Sequence, residues 1–169
     1  MLPARRPLVI LVVLTIASAV QHAWYWHHLP DRVATHWGID GQPNDWMTRT
    51  SATVTLCGLQ IGMPLFLVAV TWLASRLPDS MMNIPNREYW LHPDRRFATL
   101  QWMNRMMAWI AVLTSLFMIG IGHLAFMANR TGDRLHVFNF VGALVAYLAG
   151  VFSIAGSSLF RFRMPRSTV

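Results

Sequence analysis

Residues 51–75 have the sequence SATVTLCGLQIGMPLFLVAVTWLAS, and this stretch decides the fold because it contains no charged residue and no histidine. An α-helix rises 1.5 Å per residue, so about 20 apolar residues cross the roughly 30 Å hydrocarbon core of a bilayer. Soluble proteins keep their apolar runs shorter and interleave them with charge. The stretch therefore predicts a transmembrane helix.

The rest of the chain repeats this pattern. Of its 169 residues, 54% are hydrophobic and 12% are charged, whereas an average soluble domain has about 25% charged residues. Apolar stretches also cover residues 7–26, 102–128 and 137–160, and the third begins with a polar extension from Pro93. We therefore predict an all-α membrane protein, a four-helix bundle that forms one transmembrane domain over residues 1–169, with the lipid bilayer as its partner. A structured outer loop joins helices 1 and 2, and an inner loop joins helices 2 and 3.

The arginines predict the orientation. All 14 basic residues are Arg and the net charge is +7, but they flank apolar stretches and form no basic stripe with aromatics, which argues against nucleic-acid binding. Cations near helix ends are retained in the cytoplasm. Nine lie on the side of the two termini and of the inner loop, against four on the other side, so both termini are predicted to be cytoplasmic. The nine are Arg5, Arg6, Arg76, Arg87, Arg95, Arg96, Arg161, Arg163 and Arg166.

The first apolar stretch has an alternative interpretation. Residues 1–19 combine a basic start, an apolar run and the small residues Ala17, Ser18 and Ala19, which is the pattern of a cleaved signal peptide. Against cleavage, the apolar run continues to an aromatic belt at residues 24–26, as expected for a helix anchored at the far interface. Both interpretations leave the other three helices oriented as above.

The outer loop, residues 27–46, is the densest polar segment of the chain. Its Gly, Asn and Pro residues predict a folded, turn-rich loop in which Gly41 can adopt a positive φ. If the function is local, we expect it to start here. The residues predicted to recognise a ligand or partner are Pro30, His36, Gly41 and Asp45.

Imidazoles and carboxylates also collect on the outer side, and they are common ligands of zinc, copper and nickel. The spacing matches neither a zinc-protease helix nor a calcium-binding loop, so a divalent metal is an alternative to histidines that only form hydrogen bonds. The residues that would hold the metal are His27, His28, His36, Asp40, Asp45, His123 and His136.

Two other patterns stand out. The inner loop carries Pro85, Asn86, Tyr89 and Trp90, and its prolines and aromatics indicate a fixed shape. The aromatics either anchor the loop among lipid headgroups or dock a soluble partner. Small residues that allow close helix packing, in this chain or in a homo-oligomer, recur in helices 2 and 4. They are Gly58, Gly62, Gly142 and Gly150.

The two loops together resemble a known family. Leu29-Pro30-Asp31, followed by His36, Gly41 and Asp45, resembles the signature of the bacterial domain of unknown function sixteen-forty-eight, which also forms the N-terminal part of SdpI-type immunity proteins. The inner-loop residues 84–86, 89–90 and Pro93 are similar to the stretch that follows in many relatives. The resemblance implies a bacterial inner-membrane protein. In SdpI-type members, it implies protection against a secreted toxin and capture of a transcriptional repressor at the membrane.

Three functional hypotheses follow. No phosphate-binding loop, nucleophile elbow or carboxylate pair is present in the sequence, which favours a non-enzymatic protein. The first hypothesis is recognition of an extracytoplasmic ligand or peptide by the outer loop, in toxin immunity or envelope-stress sensing. The second is a metal-dependent membrane enzyme or metal handler. The third is a small subunit of a larger membrane complex.

Overall fold

The computed structural model describes residues 5–132 and 134–163, so Arg166 lies outside the described residues. It is mostly helical, and the four predicted long helices are present, each long and apolar enough to cross a membrane. In chain order, the elements are α1 (Arg5–Trp26), β1 (Arg32–Trp37), β2 (Pro43–Thr48), α2 (Arg49–Ala74), a 3₁₀ turn (Asp79–Met81), α3 (Arg87–Trp90), α4 (Pro93–Thr131) and α5 (Val137–Arg161).

The all-α prediction needs one correction, because the loop between α1 and α2 is a β-hairpin. Strands β1 and β2 pair antiparallel, from Arg32 opposite Thr48 to Trp37 opposite Pro43, with bulges on either side of His36. The turn closes through a hydrogen bond from the Gly38 amide to the Gln42 carbonyl at 2.8 Å. Gly41 adopts a φ of 76°, a conformation that glycine reaches without a steric penalty.

Helix α4 is the centre of the bundle. It packs against α1, α2 and α5, and the small hydrophobic core consists of Leu11 from α1 with Ala111 and Val112 from α4. The α4 helix is continuous over its 39 residues, which is roughly 58 Å at 1.5 Å per residue and exceeds the hydrocarbon thickness. The polar extension predicted from Pro93 is therefore part of the same helix.

Helix α5 is the peripheral helix. It packs mainly on α4, and none of its described residues is buried. Of the predicted packing glycines, Gly150 faces α4, since a Cβ there would lie 3.0 Å from Leu113. A Cβ at Gly58, Gly62 or Gly142 would meet nothing within 4 Å. Within the described chain these three glycines therefore do not pack against another helix.

Candidate functional site: a groove beneath the hairpin

The hairpin is fixed to the end of the bundle by Asn129 of α4. The Asn129 side chain accepts a hydrogen bond from the Ala34 amide at 2.7 Å and donates one to the Ala34 carbonyl at 2.9 Å. The carboxamide thus pairs with strand β1 as a neighbouring strand would. Ala34 and its neighbour Val33 are buried as a result.

The hairpin turn is held at a second point, the loop between α4 and α5. The Leu135 amide donates to the Gly41 carbonyl at 2.9 Å, and a Cβ at Gly41 would lie 2.5 Å from the Leu135 carbonyl oxygen. Beside this contact, the Gln42 side-chain oxygen accepts hydrogen bonds from Nε and Nη2 of Arg134, at 2.7 and 2.9 Å, when the Gln42 amide is oriented with its oxygen toward Arg134. Contacts at Ala34 and at Gly41 therefore fix the hairpin to α4 and to the loop that follows it.

A groove of about 490 Å³ opens beneath the seated hairpin, and we call it the hairpin groove. Its walls come from α2, α4 and α5, and on α4 it runs from Met118 to Ala125, about 10 Å along the axis. None of its lining side chains carries a formal charge. The lining residues are Thr35, His36, Trp37, Gly38, Ile39, Leu56, Gln60, Met118, Ile121, Gly122, Ala125, Leu135, Val137, Phe140 and Val141.

The mouth of the groove carries His36, which is exposed on β1. Its Nδ1 lies 2.5 Å from Oδ1 of Asn44 on β2. Because an amide oxygen only accepts hydrogen bonds, this contact assigns the proton of the His36 ring to Nδ1. In the neutral ring, Nε2 is then an acceptor at the groove mouth.

The wall of the groove carries Gln60, the main polar side chain deep in it. Gln60 is only 2% exposed, and its oxygen lies 3.2 Å from Nε2 of His22, which is 6% exposed. The Gln60 nitrogen donates to the Gln21 oxygen at 2.8 Å. Two α1 side chains thus satisfy the carboxamide of an α2 residue in the interior of the bundle.

The hydrogen bonds continue to α4 and form a single chain, in which each residue can donate to the next. The Gln21 nitrogen donates to the Tyr25 hydroxyl at 2.9 Å, and that hydroxyl lies 2.7 Å from Nδ1 of His123. Since the Gln60 oxygen only accepts, His22 donates to it, and every later bond can run the same way to His123. We call these five residues, His22, Gln60, Gln21, Tyr25 and His123, the polar chain.

The absence of a side chain at Gly122 on α4 leaves room for the Gln60 side chain of α2. A Cβ at this position would lie 2.9 Å from the Gln60 side-chain oxygen, closer than real Cβ contacts. Pro64, one turn after Gln60, has no N–H, so it cannot satisfy the Gln60 backbone carbonyl. Gly122 on α4 and Pro64 on α2 thus both lie beside Gln60.

The residues predicted as metal ligands do not converge. Among residues 5–132 and 134–163, no group of three or more His, Cys, Asp or Glu side chains is close enough to hold a metal ion. His28 bonds the Trp24 carbonyl through Nδ1 at 2.8 Å, while His36 and His123 have the partners given above. Of the remaining positions, His27 follows the end of α1, Asp40 and Asp45 lie in the hairpin, and His136 precedes α5.

The predicted recognition residues have different surroundings. His36 lines the groove and Gly41 seats the turn, as described above. Asp45 lies opposite His36 in the hairpin register and accepts a hydrogen bond from the Trp46 amide at 2.8 Å. Pro30 precedes β1, and its carbonyl accepts from Arg49, which also forms an ion pair with Asp31. Only His36 of the four is in the groove lining.

The inner-loop motif holds the end of α5. The Asn86 side chain and the Trp90 indole both donate to the Phe162 carbonyl, at 2.8 and 3.1 Å. Trp90 is 8% exposed, so most of its surface packs against the protein, and its role as a headgroup anchor stays a prediction. Tyr89 has the Arg95 guanidinium 4.0 Å from its ring, and Pro85 begins the turn that places Asn86 in the left-handed region.

Several site residues were missed by the sequence analysis, although a signal existed. Gln21 and Tyr25 are four residues apart, with His22 beside them, so the three share one face of α1. Polar residues in an apolar helix must find partners, which is a signal for this face. Asn129 gave no such signal, because its partner lies far away in the sequence.

Comparison with known proteins identifies one relationship. Residues 11–61 match the family model described as Domain of unknown function (DUF1648). The chain is therefore similar to this family over most of α1, the hairpin and the first half of α2, which confirms the predicted family resemblance for that segment. The segment contains four members of the polar chain and His36. No curated protein and no solved structure matches the chain.

Proposed function

We propose that this chain is a non-enzymatic, multi-pass protein of the bacterial inner membrane that binds an amphipathic extracytoplasmic ligand in the hairpin groove. The observation that carries the proposal is the groove itself: an apolar space of about 490 Å³ with uncharged lining and a few polar groups. This size and this lining are typical of sites for small molecules or apolar peptide segments.

The proposed orientation puts the hairpin outside the cell and both termini inside. Its support is the excess of arginines at the end of the bundle that carries residues 75–92 and the end of α5. The groove would then open at the depth of the outer leaflet, between α2 and α5. A ligand could enter it from the extracytoplasmic water or from the lipid.

The proposed physiological role is immunity to a secreted toxic peptide or sensing of envelope stress. The support for this role is the family resemblance, combined with a seated hairpin that has a ligand-sized space below it. The second candidate, a subunit of a larger membrane complex or a homo-oligomer, is favoured by Gly58, Gly62 and Gly142, where an added Cβ would meet nothing within 4 Å in the described chain.

The test compares matched variants in cells. Val141→Trp places an indole in the groove, whereas Val145→Trp places one on the same face of α5, one turn away and outside the lining. We expect gene deletion to sensitise cells to an amphipathic peptide toxin, and Val141→Trp and His36→Ala to reproduce the loss at normal protein level. Val145→Trp should rescue the deletion. Full rescue by Val141→Trp would refute the groove as the working site.

A further inference from the structure

We infer that the hairpin groove takes a single-chain amphiphile whose polar head donates a hydrogen bond, namely a long-chain amine or alcohol, and that it discriminates against carboxylates. This inference rests on the proposed function, since it assigns a ligand class to the same groove. It depends on the protonation pattern of His36 and on the charges around the groove mouth.

The first step is the polarity of the mouth. With Asn44 Oδ1 as the partner of Nδ1, we assign the His36 ring proton to Nδ1, which leaves Nε2 as an acceptor. No hydrogen bond to Nε2 occurs within the described residues, and the ring is exposed at the groove. An ammonium or hydroxyl head can donate to this nitrogen, whereas an ionised carboxylate can only accept.

The second step is the charge near the mouth. Asp45 lies directly opposite His36 across the hairpin, and Asp40 lies in the turn. The adjoining loop carries Arg134, which donates to the neutral Gln42 side chain and keeps its positive charge, so two carboxylates stand against one guanidinium. The nearby carboxylates therefore favour a cationic or neutral head over an anionic one.

The third step is the shape of the apolar part. Helices α2 and α5 both line the groove while α5 packs mainly on α4, so the space between them is open along the bundle. Met118 and Ile121 on α4, with Phe140 on α5, offer an aliphatic and aromatic wall along roughly 10 Å. A single alkyl chain fits this narrow apolar wall, with its head at His36.

The test uses the full chain in lipid nanodiscs and three photoactivatable twelve-carbon probes that differ only in the head: an amine, an alcohol and a carboxylate. Mass spectrometry locates and quantifies the crosslinks. We expect crosslinks within the groove, with the amine and alcohol exceeding the carboxylate by about two- to tenfold, the value of one hydrogen bond. His36→Ala should lower this ratio while crosslinking persists, and the remaining preference is the contribution of Asp40 and Asp45.

Asn44→Leu separates the protonation argument from a structural role of the histidine. Without the Asn44 oxygen, the ring proton can move to Nε2, so carboxylate crosslinking should rise relative to the amine. A purely structural histidine would not change head preference in this variant. Equal crosslinking of all three probes to wild type, within the groove, would overturn this inference and leave the groove proposal standing. Absence of groove crosslinks, or no effect of Val141→Trp relative to Val145→Trp, would overturn the groove proposal itself.

Discussion

Replacement of Gly122 by alanine tests the polar chain, and Gly120 provides a matched control two residues earlier on α4. A Cβ at Gly122 would lie 2.9 Å from the Gln60 oxygen, whereas a Cβ at Gly120 would meet nothing within 4 Å. Alanine in place of glycine stabilises a helix by about 0.5–1 kcal/mol, and this gain is common to both variants. The difference between them therefore isolates the steric effect on Gln60.

The magnitude follows from the bonds that Gln60 would lose. Displacement of its carboxamide affects the bonds to His22 and Gln21, and interhelical hydrogen bonds in membranes contribute about 0.6 kcal/mol each, with a maximum of about 1.7. We expect Gly122→Ala to be less stable than Gly120→Ala by about 1–3 kcal/mol. For a chain of this length, that corresponds to roughly 2–12 °C in melting temperature.

The assay is thermal unfolding of both variants in the same detergent, followed by a double-mutant cycle with Gln60→Ala. Without the Gln60 carboxamide, the alanine at position 122 has nothing to displace. The penalty of Gly122→Ala should therefore disappear in that background. Equal melting temperatures for the two single variants, or an unchanged penalty in the Gln60→Ala background, would refute the polar chain as a stabilising contact.

Three further predictions concern the hairpin and its orientation. The first uses a chain in which Cys57→Ala removes the native cysteine. A cysteine at Ile39 (99% exposed) should react with a membrane-impermeant maleimide in intact spheroplasts, whereas one at Met81 (65% exposed) should react only after permeabilisation. The reverse result would contradict the topology. Asn129→Leu should unpair the β1 backbone and speed hydrogen exchange of the hairpin by at least about fivefold, given about 1 kcal/mol per lost bond. Gly41→Ala should destabilise the hairpin end by about 1 kcal/mol or more, measured in the same exchange experiment, because of its φ of 76° and the 2.5 Å approach to a carbonyl oxygen.

The helices were predictable because hydropathy is a local property. The apolar stretch 51–75 and the helix α2 that ends at Ala74 agree to within about two residues, since polar residues end both. The hairpin was not predicted as β-structure. Strand β2, with the sequence PNDWMT, has a weak strand propensity of its own. It forms because β1 pairs with it and Asn129 pairs with β1, and that last contact joins residues 95 positions apart.

The site was predictable in its residue types and not in its pairings. Gln60 is a polar residue in the centre of the apolar stretch 51–75, and such a residue requires a partner. Its partners depend on the rotation and depth of α1 relative to α2, which a single sequence does not specify. His36 was predicted as a recognition residue of the outer loop, and its hydrogen bond to Asn44 depends on the hairpin register and its bulges.

Gln60 belongs both to the polar chain and to the groove wall, so the α1 residues that bond to it also determine the polarity of the groove wall. A carboxamide that faces hydrocarbon without a partner costs several kcal/mol, so an alkyl chain could occupy the groove only if other groups satisfy Gln60. Gln21 and His22 supply those groups from α1. Cleavage after Ala19 would leave fewer than two helical turns to position them. We therefore expect α1 to be retained, and an intact mass of the membrane-extracted protein that lacks residues 1–19 would contradict this account of the groove.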